Sequence, residues 1–154
     1  MTIQWRDRVI ENPPPVSDEQ VDKVEQAIGW RFPQDYLRVV RINQGRKPQP
    51  DCFELANGDS SVISYLLVVE EHHFQYLPGL MWLMAGGRFP ESGPSFIVPF
   101  AADPGESLIC FDYRAGPENP AVVFWDHEAN AKRSPQTIAA SFTDLLEKLY
   151  EADD

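Results

Sequence analysis

Phe96-Ile97-Val98-Pro99-Phe100, Leu108-Ile109-Cys110-Phe111-Asp112-Tyr113 and Val122-Val123-Phe124-Trp125 are three runs of apolar, β-branched or aromatic residues following closely on one another. Such residues suit the half-buried, pleated surface of a strand. Asp103-Pro104-Gly105 separates the first two, with Pro and Gly placed as a type II turn requires. Arg114 to Pro120 joins the second and third. Links this short leave no room for a crossover helix, so the three strands are expected to run antiparallel as a meander.

Working outward towards the C-terminus, Phe142, Leu145, Leu146 and Leu149 share one face of a final helix. Two starts are open to it: Ser134-Pro135, or Ser141 with Asp144 three residues later. Towards the N-terminus, Cys52-Phe53-Glu54-Leu55, the turn Asn57-Gly58-Asp59 and the run Val62 to Val69 read as further β structure. Asn57-Gly58 is a pair that accepts positive φ in a tight hairpin. Arg46 to Asp51, with two prolines, reads as a loop, and His72 to Pro94 as irregular structure broken by Pro and Gly.

Two helices precede these strands. Ser17 is a good N-cap, and Gln20 three residues on completes a capping box. Val21, Val24 and Ile28 form one apolar stripe, closed by Gly29 in a left-handed conformation. Pro33 is expected at the first position of a second helix, with Tyr36, Leu37, Val40 and Ile42 on its apolar side and Asn43-Gln44-Gly45 at its end. Pro13-Pro14-Pro15 is stiff and extended, setting apart an N-terminal segment whose Trp5 and Ile10 are large enough to dock on the body. Helices, then strands, then a helix predict an α+β fold, a mostly antiparallel sheet with helices packed on one face. The expected organisation is one domain over residues 1–154, with an N-terminal segment 1–16 and a core 17–149.

Thirteen Lys and Arg stand against 24 Asp and Glu, a formal net charge of −11. Such a surface repels nucleic acid and anionic membranes, whose binding needs cationic groups. It suits basic partners and speeds their encounter, though it also serves simple solubility. No apolar run reaches the roughly 18 residues of a membrane span. The N-terminus lacks the basic-then-apolar pattern of a signal peptide, so a cytoplasmic protein is expected. Cys52 and Cys110 are too few for a disulfide scaffold or a zinc site, and both read as buried thiols.

Catalytic signatures are missing from the sequence. His72 and His73 are adjacent and diverge on either a helix or a strand, so they do not share a metal easily. Asp126-His127-Glu128 could bring two carboxylates together, but hard cations recruit more oxygen ligands than two. A strand-end surface histidine is the plainer reading of His127. There is no Gly-x-Ser-x-Gly elbow and no P-loop or dinucleotide glycine pattern. Cys110 alternates with Ile109 and Phe111 as a packed residue, with no cation nearby in sequence to lower its pKa. No cofactor is expected, and the chain is expected not to be an enzyme.

The aromatics admit two readings. Trp30 and Phe32, flanking Arg31, pack the junction between the first two helices. Phe124 and Trp125 point to opposite faces of their strand, so Trp125 is either covered or an exposed interface anchor.

Several patterns recur in one order: Ile28-Gly29-Trp30-Arg31-Phe32-Pro33-Gln34-Asp35-Tyr36; Asn43-Gln44-Gly45; Ile97 to Asp103 with Gly105; Ile109 to Tyr113; Val122 to Glu128; and Ile138 to Phe142 with Leu145-Leu146. In this order and spacing the chain resembles the SMI1/KNR4 proteins of the SUKH superfamily, over roughly Ser17 to Leu149. The resemblance implies an α+β domain without an established active site. It also implies function: bacterial members look like immunity proteins that neutralise polymorphic or contact-dependent toxins, often nucleases, and fungal members act as regulatory scaffolds. The leading expectation is an immunity protein that sequesters a basic toxin domain. A regulatory or scaffold module without a toxin is second, and a small metal-dependent hydrolase using His127 is third. The partner surface is expected among acids near loops and strand ends, namely Glu70, Glu71, Asp103, Glu106, Asp126 and Glu128, with Trp125 as anchor.

Overall fold

Ser17 turns the extended run after the prolines into the first helix. In the computed structural model, which describes residues 2–7, 14–69, 96–105, 107–126 and 135–152, its hydroxyl accepts from the Gln20 amide at 3.2 Å and the Gln20 side chain answers to the Ser17 amide at 3.2 Å. That is the expected capping box. Helix α1 (Asp18–Ile28) buries Val21, Val24 and Ile28, and Gly29 ends it at φ 82°. Helix α2 (Gln34–Asn43) follows, with Pro33 one position earlier than expected, as the N-cap at φ −60° and ψ 143°. Ile42 is 65% exposed, against expectation. The buried positions of α2 are Tyr36, Leu37, Val40 and Asn43, and at 100° per residue Ile42 falls off that stripe.

The strands are β1 (Gln4–Arg6), β2 (Lys47–Gln49), β3 (Cys52–Glu54), β4 (Ser60–Val62), β5 (Tyr65–Leu66), β6 (Ile97–Ala102), β7 (Leu108–Asp112), β8 (Ala121–Trp125) and β9 (Gln136–Ala139). They form two antiparallel pairs, β1-β2 and β3-β4, and a five-stranded antiparallel sheet in the order β5-β6-β7-β8-β9. The expected meander is its centre. Lys47–Gln49, expected as loop, is a strand because the N-terminal segment supplies it with a partner, Trp5 opposite Pro48. Trp5 packs against the core; Ile10 and the whole of His72 to Pro94 lie outside the described residues. The run Val62 to Val69 divides in two. Ile63 still donates to Asp51 at 2.9 Å, but Ser64 donates to Ala102 at 2.8 Å, so the chain leaves the β3–β4 pair there and joins the main sheet. The β3–β4 connection is a five-residue loop, Leu55 to Asp59, in which Gly58 alone is left-handed, at φ 90°.

Helix α3 (Phe142–Lys148) settles the two open starts. Ser141 is its N-cap, accepting from Asp144 at 3.0 Å. Pro135 cannot start it, because Gln136–Ala139 pairs with β8. β8 offers the edge that this strand fills, and nothing in Gln136-Thr137-Ile138-Ala139 announces that.

Helices α2 and α3 meet the same face of the sheet. Tyr36 sits edge-on to Phe100, Phe111 and Phe142 at centroid distances of 5.7, 5.2 and 5.5 Å, and Phe100 stacks on Phe111 at 4.2 Å. Edge-to-face pairs of this kind add about 0.5–1.5 kcal/mol each beyond their buried area. The chain is thus α+β, as its element pattern predicts.

Candidate partner-binding site

The β3–β4 loop, the β6–β7 turn and the end of β8 converge beside the sheet. Between them lies an open basin of about 680 Å3, lined by Asp59 from the first with Ser61 of the adjoining β4, Asp103 and Ser107 from the second, and Phe124 and Asp126 from the third. Three carboxylates face it, and among its described lining residues there is no Lys, Arg or His.

Asp103 builds the turn that carries it. Its Oδ1 accepts from the backbone amides of Gly105 at 2.9 Å and Ser107 at 2.8 Å. Its Oδ2 accepts from Ser61 Oγ at 3.0 Å, tying the turn to β4. The expected type II turn is therefore absent: Gly105 does not take a positive φ, since the Asp103 carboxylate holds the loop through side-chain bonds instead. Ser107 is buried and its hydroxyl donates to Asp126 Oδ1 at 3.5 Å.

Of the acids expected to bind a partner, the structure brings Asp103 and Asp126 together. Glu70, Glu71, Glu106 and Glu128 lie outside the described residues. Trp125 is half-buried against the core and is not part of the basin lining; its neighbour Phe124 is, and packs edge-on to Phe53 at 5.9 Å. Asp59 and Ser61 are the additions. Asp59 read as a turn residue, and only the pairing of β3 with β4 swings it to the mouth of the β6–β7 turn.

Nucleophile and metal chemistry find little support in the described residues. Burial pushes the Cys110 thiol well up, and burial followed by the hydrogen bond to Asp51 raises that of Cys52. Neither thiol is thereby favoured as a thiolate at neutral pH. Among the described residues no three His, Cys, Asp or Glu side chains are grouped to hold a metal ion, and His72, His73, His127 and Glu128 lie outside them. No helix among the described residues is long and apolar enough to cross a membrane.

The profile of the SMI1 / KNR4 family (SUKH-1) matches residues 15–148. The chain belongs to that family. SUKH proteins are broadly immunity proteins, and the family is typically non-catalytic. A comparison with curated protein sequences gave no match. In SUKH-1 terms the matched span begins just before the α1 cap and runs to the end of α3, so it contains every element that forms the basin.

Proposed function

We propose that this SUKH-1 protein is a cytoplasmic immunity protein that neutralises a cognate toxin by binding it, with the acidic basin as the centre of the contact. The observation that carries this reading is the convergence of Asp59, Asp103 and Asp126 on one open basin whose described lining has no cation. A toxin that acts on nucleic acid must present a basic surface to phosphate. A net charge of −11 attracts that surface from a distance, and the basin gives it a fixed set of carboxylates to dock on. Complementary charge sets the encounter rate and the choice of partner more than the raw affinity.

The test is co-expression with the toxin domain encoded beside this chain. Protection of growth, together with a complex that copurifies and weakens as salt rises, supports the reading. Growth arrest despite abundant folded protein, with no complex at low salt, overturns it.

A further inference from the structure

Two strand edges face a second groove, next to the basin. On β3 the odd-numbered residues bond towards β4: Ile63 donates to Asp51, and Leu55 to Asp59. Even-numbered residues must therefore face the other way. Cys52 does, exchanging both backbone bonds with Tyr150 at 3.0 Å each. Ala56 does, donating to the side chain of Gln136 at 3.1 Å. Glu54 lies between them, so its N–H and C=O point the same way.

On the opposite side, the Tyr113 amide bonds the Phe96 carbonyl at 2.7 Å, which sets the odd residues of β7 towards β6 and its even residues towards β8. Carried through the registers Cys110↔Val123 and Phe124↔Gln136, this turns Thr137 away from β8. Among the described residues, the backbone groups of Glu54 and Thr137 have no hydrogen-bond partner. Both residues line one groove of about 540 Å3, with half-buried Ile138 as its apolar surface, the buried Leu145 beneath and Lys148 also in the lining.

Exposed strand edges of this kind pair with extended peptide. Leu55 lines both the groove and the basin, so a chain leaving the groove enters a field of carboxylates. We propose that the groove takes an extended segment of the bound protein, apolar at alternate positions and followed by Lys or Arg. Its backbone pairs with Glu54 and Thr137, an apolar side chain covers Ile138, and its basic end lies in the basin. The identity of that bound protein as a toxin rests on the proposed immunity function; the strand pairing does not.

The experiment measures amide hydrogen exchange at Glu54 and Thr137 with two probes: the toxin domain encoded beside this chain, and synthetic six-residue peptides alternating Val or Leu with Thr and ending in Lys-Arg. Both amides are expected to slow by about tenfold or more on binding. Thr137→Pro removes the outward N–H without touching the ladder to β8, and is expected to weaken binding about tenfold. Thr137→Val, which keeps that N–H, is expected to bind as the parent does. Should the toxin bind while both amides exchange as in the unbound chain, this inference falls and the immunity reading stands. Peptides that bind and protect, with no toxin neutralised, retain the groove and remove the immunity reading. No binding of either probe overturns both. Protection that rises with the concentration of this chain alone assigns the groove to a second copy and overturns the proposal.

Discussion

Asp35 caps a helix to which it does not belong: its Oδ2 accepts from the Thr143 backbone amide at 3.0 Å and from the Thr143 hydroxyl at 2.8 Å. Asp35 sits in the first turn of α2, and Thr143 in the first turn of α3. One carboxylate thus satisfies an orphan donor at the start of α3 and favours the positive end of its dipole. Asp35→Ala is expected to cost about 1–2 kcal/mol. Thr143→Val, which keeps the amide bond, should cost less. Thermal unfolding of the two variants beside the parent checks the order.

Tyr36 is fully buried among Phe100, Phe111 and Phe142, and among the described residues its hydroxyl has no hydrogen-bond partner. Burial pushes its pKa up, so it stays neutral. An orphaned buried hydroxyl costs about 1–3 kcal/mol. Tyr36→Phe keeps the ring packing and is expected to leave the melting temperature unchanged or raise it. A clear fall would show that the hydroxyl contributes to stability.

Asp112 carries the clearest pH dependence. Burial by itself would raise its pKa, but the side-chain and backbone hydrogen bonds from Arg114, at 2.9 Å, outweigh burial and lower it. A carboxyl depressed in the folded state adds stability above its unfolded pKa and loses it as pH falls through the folded value. Asp144, held down first by the Ala140 amide and then by Lys148, has the same sign. Stability should therefore drop as pH falls below about 4. The difference between the parent and Arg114→Gln should be largest near neutral pH and close in acid. Denaturant titrations across that range read it directly.

The basin acids should separate by role. Asp126→Asn and Asp59→Asn touch exposed carboxylates and should leave unfolding within about 0.5 kcal/mol of the parent, while slowing association with the proposed toxin partner at low salt. Asp103→Ala deprives Gly105, Ser107 and Ser61 of their acceptor. It should lose both affinity and about 1–3 kcal/mol of stability. Stopped-flow binding over a salt series, with thermal melts, distinguishes the three.

Gln44 shows where sequence reasoning stops. Asn43-Gln44-Gly45 reads as the end of a helix, and it is one. Yet the buried Gln44 side chain also accepts from the Val69 amide at 2.9 Å and donates to the Pro14 carbonyl at 2.5 Å. No local pattern marks a residue whose partners lie 25 and 30 positions away.

By itself, the sequence determined the elements whose causes are local. The capping box of Ser17 and Gln20, the stripe of Val21, Val24 and Ile28, and the apolar runs of β6, β7 and β8 are all set by the residues along the chain. It also determined the net charge of −11. Tertiary structure decided what depends on a neighbour. Lys47–Gln49 and Gln136–Ala139 became strands because β1 and β8 offer them edges. Asp59 joined Asp103 and Asp126 because the β3–β4 pairing carries it there. A helix cap is completed within four residues, whereas a strand edge or a binding surface is completed by whatever the fold places beside it.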